Sequence, residues 1–362
     1  MVLRAVSARR GLVGVVMGLA AGLAFGAGGT IVKPLFSEGW TPGAAVFGRL
    51  VVAALALAIP AIIAMRGELR PLLRAWRLVL AYAVLAVAGV QLAFYAAIER
   101  IPVGIALLIE YLAPVALLLL AWARTRRMPH RVVLVGAGLA VVGLVLVIGP
   151  SGAGALDPVG IALASVAMIG VAFYYVVGDR TPVGVPPVAL AWSGFVVGAL
   201  ALGLAGLVGI LPMHASFGEV AFFGMRAPWW APLVTVGVVS TAFAYVAGIT
   251  AITLLGTRVA SFLGLSEVIF AGLIGWIVLG EAIGPIGLVG AGLILGGIVL
   301  VRLEPVAASA PLPEPLPVTE PIAILPDAPP APTEPHQTPQ SAPDAAVAPE
   351  ASRLPDATAT PL

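Results

Sequence analysis

Ten predominantly apolar stretches of seventeen or more residues, joined by short loops, run through residues 11–301 of this chain. About 20 helical residues cross a hydrocarbon core roughly 30 Å thick, so each stretch reads as a membrane-spanning helix. They lie near 11–32, 42–64, 78–98, 103–122, 132–149, 158–178, 188–211, 232–253, 259–279 and 284–301. Proline and glycine breakers mark the joints: Lys33-Pro34, Thr41-Pro42, Ile101-Pro102, Asp157-Pro158, Pro186-Pro187 and Gly284-Pro285. Soluble domains carry roughly 25% charged residues, whereas this chain has 10%, with 60% hydrophobic. The expected fold class is therefore all-α integral membrane protein.

The first stretch follows Arg4, Arg9 and Arg10, as the core of a cleavable signal peptide would. Its length exceeds a signal core, and Gly14, Gly18, Gly22 and Gly26 place small residues on one face, which suits a retained, tightly packed helix. Positive charge sets orientation. With the N-terminus cytoplasmic, 14 arginines fall at inner helix ends and loops, and only Lys33, Arg100 and Arg226 fall outside. Both termini are expected in the cytoplasm. From residue 303 onward the character changes. That segment holds eight acids, one arginine and half of the 32 prolines. It offers too little apolar surface to offset the entropy of ordering, so a disordered acidic Pro/Ala-rich cytoplasmic tail is expected over 303–362, passive or serving as a docking segment. The remaining 302 residues carry an excess of nine positive charges, which suits anionic lipid on the cytoplasmic side.

A repeat is visible within the apolar region. LVGAGLAVVGLVLV (134–147) matches LVGAGLILGGIVLV (288–301) at an offset of 154, with ten of 14 positions identical. The same offset pairs Ala97-Ile98 with Ala251-Ile252, Ala106 with Ala260, and Trp122 with Trp276. Helices 3–5 thus correspond to helices 8–10, giving repeats at 1–150 and 151–302. Five helices is an odd number, so the second copy enters the membrane from the opposite side. Inverted repeats characterise secondary transporters, whose substrate site lies near the midplane between the copies.

Three segments also resemble a known family: TPGAAVFGRLVVAALAL (41–57), FYAAIERIPVGIALLIEYLAPVALLLLAW (94–122) and STAFAYVAGITAITLLGTRVASFLGLSEVIFAGLIGWIVLGE (240–281). They are similar to the drug/metabolite transporter superfamily, in particular its EamA-type ten-helix carriers, over roughly residues 11–302. The resemblance implies export or uptake of small metabolites such as amino acids through a central cavity. Two departures stand out. The family's Leu-Gly-Glu ending occurs at Leu279-Gly280-Glu281, but the first repeat has Thr125-Arg126-Arg127 there. The proline expected in helix 9 is Val268, although Pro114 is present in helix 4, so helix 9 is expected to be the straighter of the two.

Ionisable groups at membrane depth are costly and mark function by default. Three lie deep: Arg49 in helix 2, Glu110 in helix 4 and Glu267 in helix 9. The two acids are candidates for binding a substrate amine or carrying protons, and Arg49 for clamping a carboxylate or serving as counter-ion; a buried ion pair between helices is the competing structural role. Gln91 and Tyr95 share a face of helix 3, the offset takes Gln91 to Tyr245, and Thr241 lies one turn before Tyr245. Ser261 and Ser266 flank Glu267. These hydroxyls and amides could complete a cavity or simply bond between helices. Trp122 and Trp276, near helix ends, suit interfacial anchors.

The expected activity is secondary active transport of a small metabolite, amino acids or related polar compounds, with export and proton coupling the favoured mode; a non-transporting membrane scaffold is the alternative. An enzyme is not expected, because no His, Asp or Cys cluster occurs and the chain has no cysteine. No GxxxxGK[ST] loop for an ATP-driven pump is present. No cofactor, metal or nucleic-acid partner is expected; the partners are a small-molecule substrate, the lipid bilayer and protons, and a homodimer is compatible with the chain. A single lysine against 18 arginines, with abundant Ala, Gly and Pro, suggests a GC-rich bacterial source and thus the bacterial inner membrane.

Overall fold

The computed structural model describes residues 2–126, 130–148, 156–178 and 185–303. Arg127, Arg180, the junction expected near 150 and the tail beyond Leu303 lie outside the described residues. The described chain is a helical bundle. Its principal helices are α1 (Val2–Ser37), α2 (Pro42–Ala64), α3 (Trp76–Ile98), α4 (Val103–Arg124), α5 (Arg131–Ile148), α6 (Pro158–Gly178), α7 (Pro187–Leu207), α8 (Trp230–Leu255), α9 (Thr257–Gly264 continuing as Ser266–Leu279) and α10 (Pro285–Leu303). Eight apolar segments are long enough to cross a membrane, and Pro158–Phe173 of α6 and Pro285–Val301 of α10 are shorter apolar helices. Large apolar side chains point outward along them. Leu55, Ile59 and Ile63 on α2 are 70–72% exposed, an outer face that only lipid solvates.

Local chemistry starts several helices where the sequence indicated. Thr41 accepts from Ala44 N ahead of Pro42, and Asp157 accepts from Val159 N at 2.8 Å ahead of Pro158. Arg100 also donates to Asp157 at 3.0 Å, and these two bonds hold the exposed carboxyl below its ordinary pKa. Lys33-Pro34 is the exception. It was expected to end the first helix, yet α1 continues through Pro34 to Ser37. Val32 and Leu35 on either side are fully buried, and that packing outweighs one lost backbone bond.

The repeats are interlocked. Glycines of α1 face α8 and α9: Gly14 meets Leu255, Gly18 meets Leu263, Gly22 meets Ser266 and Gly26 meets the Glu267 carbonyl. The counterpart helix α6 packs in the same way on α3 and α4. Helix α2 packs on its own counterpart α7, and α5 on α10. The last pair is the repeated motif itself. A Cβ at Gly136 would lie 2.7 Å from Gly297 O, and one at Gly143 would lie 2.5 Å from Gly290 O, with the reverse contacts equally close. Gly136 corresponds to Gly290 and Gly143 to Gly297. Each repeat's early glycine therefore meets the other's late one, so the two copies of the motif run antiparallel. That is the geometry of an inverted repeat.

Irregular backbone recurs at matched places. Residues Tyr82–Gly89 of α3 and Val238–Phe243 of α8 are π-helical, and the offset of 154 superposes their latter parts. In α4 the helix stops at Glu110 and restarts at Ala113, because Pro114 supplies no N–H for the Glu110 carbonyl. Helix α9, expected to be straighter, is interrupted at the matching place, Leu265. Leu265 N bonds Phe262 O at 3.1 Å and Val268 N bonds Leu265 O at 3.3 Å, three residues back instead of four. Gly264 O then accepts from the Tyr111 hydroxyl of α4 at 3.1 Å. A partner across the interface replaces the proline as the cause of the break.

One small sheet joins the helices. Glu219–Phe222 (β1) and Met225–Pro228 (β2) form an antiparallel hairpin before α8, turned by Phe223 and Gly224 at φ 47° and 78°. Trp40 at the end of α1 donates to Ser216 O at 2.7 Å and stacks on Trp229, anchoring this loop.

The glycine contacts between α5 and α10 can be tested directly. Gly143→Ala and Gly297→Ala, which press a methyl into facing backbone, should each cost about 1–3 kcal/mol and lower the thermal midpoint of purified protein in detergent. Gly138→Ala, where a Cβ meets nothing within 4 Å, should leave it unchanged or higher.

Candidate functional site

A cavity of about 400 Å³ opens where the helix breaks meet. Phe25 and Gly29 of α1, Arg49 of α2, Gln91 and Phe94 of α3, Glu110, Tyr111 and Pro114 of α4, Tyr245, Ile249 and Ile252 of α8, and Glu267 of α9 all line it. All three deep ionisable residues named from the sequence thus converge on one space, drawn from both repeats.

The guanidinium of Arg49 is held by neutral groups. Its Nε donates to Thr241 Oγ1 at 2.7 Å, Nη1 to Tyr95 Oη at 3.0 Å and Nη2 to Ser240 O at 3.5 Å. Its Cζ also lies 5.4 Å from the Tyr95 ring centroid. Thr241 in turn donates to Val236 O at 2.8 Å, a bond the π-helical turn of α8 makes available. Arg49 is only 8% exposed, so this cradle replaces water around a buried cation. Among the described residues the ion pairs are Lys33–Glu281 and Arg100–Asp157; Arg49 reaches the two deep acids through space, not by a salt bridge.

Glu267 is fixed from the neighbouring helix. Tyr111 Oη lies 2.7 Å from Glu267 Oε2 and 3.1 Å from Gly264 O, so one hydroxyl serves both the carboxyl and the broken ladder of α9. Glu110, at the edge of the α4 break, also faces the cavity. Gln91 Oε1 is buried in the wall without a hydrogen-bond partner. Aromatic rings shape the apolar side: Tyr245 packs edge-on against Phe25 at 5.3 Å and Phe195 at 5.1 Å.

Of the other residues named from sequence, Gln91 and Tyr245 line the cavity, while Tyr95 and Thr241 stand behind Arg49 as its support. Ser266 is turned away, pressed against Gly22 of α1 with its Oγ unpartnered. The side chain of Ser261 lies outside the described residues. Trp122 and Trp276 are 41% and 57% exposed, on the outer surface and not in the cavity. Two groups were missed. Tyr111 lies three residues before Pro114, the one signal in the chain that places it at a helix break. Lys33 was assigned to a loop.

Lys33 instead ties helix ends together at one end of the bundle. Its Nζ pairs with Glu281 and donates to Ile101 O at 3.1 Å, while Glu281 Oε2 accepts from Val103 N at 2.9 Å. This ties the ends of α1 and α9 to the start of α4. Gly14 near the start of α1 packs on Leu255 at the end of α8, so the two helices are antiparallel. The lining residues Ile249 and Ile252 therefore lie toward the opposite side of the bundle from the Lys33 latch.

A family model of EamA-like transporters matches residues 12–149 and again 158–303. The chain belongs to the EamA-like transporter family. Its two matches correspond to the two repeats, and it is a multi-pass membrane transporter of small molecules. Eleven chains of solved structures match it. One, the crystal structure of a protein 19% identical to this chain, superposes with a TM-score of 0.54 over 80% of this chain and 97% of its own, a likeness of fold alone. No curated protein matches.

The latch predicts a change in access. Lys33→Ala or Glu281→Gln should let a cysteine placed at Leu107, in an otherwise cysteine-free chain, react severalfold faster with an impermeant thiol reagent applied on the Lys33 side. Unchanged reactivity in both variants would mean that the latch does not hold that end shut.

Proposed function

We propose that this transporter is a secondary active, proton-coupled exporter of small amine-bearing metabolites, such as amino acids and related polar compounds, across the bacterial plasma membrane. The carrying observation is the cavity between the interlocked repeats, where Glu110 and Glu267 face a space that Arg49 shares without neutralising either through a salt bridge. Buried carboxylates in this position exchange protons or bind cations, because a lone buried charge is costly.

Tyr111 links that exchange to the backbone. It has one proton for two acceptors, Glu267 Oε2 and Gly264 O. When Glu267 is protonated, the acid can donate to Tyr111 Oη and release the hydroxyl to Gly264 O. When it is ionised, it draws the hydroxyl to itself and weakens the support of the α9 break. Proton loading thereby biases a discontinuous helix, the kind of element that alternating access requires. The offset of 154 supports repeats over 1–150 and 151–302 followed by the acidic tail, and the excess of inner arginines supports cytoplasmic termini.

Reconstituted protein gives the test. Glu267→Gln removes titration and should abolish accumulation driven by a pH gradient while exchange of labelled for unlabelled solute persists. Tyr111→Phe keeps the titrating carboxyl but removes its link to Gly264 O, and should lower gradient-driven accumulation more than solute exchange, by about tenfold if a hydrogen bond worth roughly 1.4 kcal/mol is lost. Full gradient-driven accumulation in both Glu110→Gln and Glu267→Gln would exclude the proposed site. For orientation, single cysteines replacing Glu38 should be labelled by an impermeant reagent in whole cells, and those replacing Glu68 should not; the reverse would invert the topology.

A further inference from the structure

Where α2 ends, the chain turns through Arg66 and Gly67, both at positive φ (53° and 78°), and returns through the short helix Arg70–Arg74 into α3. Backbone bonds keep one helical phase across the bend at Ala75. Its N–H donates to Pro71 O at 3.2 Å, and its carbonyl accepts from Val79 N at 3.0 Å. With 3.6 residues per turn, this stretch separates into three faces. Leu72 and Val79 are buried against the bundle. Leu69, Leu73, Trp76 and Leu80, spaced by three or four residues, form an apolar stripe that is 43–70% exposed. Arg70, Arg74 and Arg77, each one residue further on, form an exposed basic stripe beside it, with Arg66 on the turn also exposed.

This charge is unanswered within the protein. Glu68 is the one acid between Ala64 and Ala81, and among the described residues none of the four arginines forms an ion pair. Arg77 lies with its Cζ 5.4 Å from the Trp76 ring centroid, where the two stripes meet. In sequence the apolar stripe follows the exposed Ile59, Ile62 and Ile63 of the last turns of α2, part of the face that lipid solvates. A stripe of large apolar side chains flanked by arginines at a helix end matches the boundary between acyl chains and headgroups. From this pairing we infer that residues 66–80 form a binding site for an anionic phospholipid. Arg70, Arg74 and Arg77 hold its phosphate, and Leu73 and Trp76 pack on the upper part of its acyl chains. Guanidinium groups pair bidentately with phosphate oxygens, and an anionic surface attracts each juxtamembrane arginine. A soluble acidic partner would answer the arginines but leave Leu69, Leu73 and Leu80 facing water. The site lies outside the cavity and holds whatever solute the cavity carries.

Native mass spectrometry of the purified full-length chain in neutral detergent, with dioleoyl phosphatidylglycerol or dioleoyl phosphatidylcholine added, tests it. Phosphatidylglycerol should bind about tenfold or more tightly than phosphatidylcholine, equivalent to at least roughly 1.4 kcal/mol. Arg70→Gln, Arg74→Gln and Arg77→Gln together should abolish that preference. Arg10→Gln, Arg124→Gln and Arg131→Gln, which remove the same charge elsewhere, should keep it, with thermal unfolding confirming that both variants are folded. Inorganic phosphate in hundredfold excess should not displace the lipid, because it brings no acyl chain. A second measurement leaves the arginines intact. A fluorophore on Leu73→Cys, in the otherwise cysteine-free chain, should be quenched more by spin-labelled phosphatidylglycerol than by spin-labelled phosphatidylcholine at equal mole fraction in vesicles. Equal binding or equal quenching by the two lipids would overturn the inference. So would a preference that survives loss of Arg70, Arg74 and Arg77, one lost equally in the control variant, or displacement by phosphate.

Discussion

Inside a membrane every backbone N–H and C=O must find a partner within the protein, since lipid supplies none. Much of the structure follows from where that rule is strained. The helices keep regular ladders along their lipid faces, and the ladder breaks at Tyr111–Leu112 and at Leu265, on segments that border the cavity. The freed carbonyl of Gly264 is taken by Tyr111, and the π-helical turn of α8 delivers Thr241 to Arg49. Polar chemistry sits where irregular backbone can be satisfied by a neighbouring helix, and the same neighbours hold the functional side chains in place.

The scaffold is symmetric and its contents are not. Cross-packing of α1 on α8 and α9, matched by α6 on α3 and α4, makes each repeat complete only in the presence of the other. The antiparallel glycine contacts of α5 and α10 lock this arrangement with backbone against backbone, where a single methyl has no room. The charged groups break the symmetry. The offset pairs Glu110 with Gly264 and Glu267 with Ala113, so each repeat contributes one acid and the two are not symmetry mates. Among the described lining residues the cation is Arg49, from the first repeat. A symmetric frame with an asymmetric lining can present similar cavities to either side while binding the solute through fixed groups.

Much of this was legible along the chain because membrane sequences must declare their helices. The apolar runs at 42–64 and 158–178 coincide with α2 and α6, and the repeated motif at 134–147 and 288–301 lies on α5 and α10, whose backbones meet at their glycines. Arg49, Glu110 and Glu267 stood out for the same reason: a charge in a run of apolar residues must be justified by a partner or a task. Errors arose where tertiary packing overrode a local rule. Pro34 did not end α1, since Val32 and Leu35 are buried on either side of it. The absence of a proline at Val268 did not leave α9 unbroken, since Tyr111 bonds the Gly264 carbonyl from outside the helix.

The sequence by itself determined the class of protein, the number of apolar segments, the internal repeat and the three deep charges, because hydrophobic length and misplaced charge are properties of a linear chain. Only the tertiary structure decided what those charges do. It turned Arg49 toward Tyr95, Thr241 and Ser240 and away from a salt bridge with either acid, gave Glu267 a tyrosine partner 156 positions away, and moved Lys33 from an apparent loop to a latch on Glu281. A hydrogen bond depends on distance and direction between helices. Those are fixed by the packing of small residues across the bundle, and no local pattern in the chain records them.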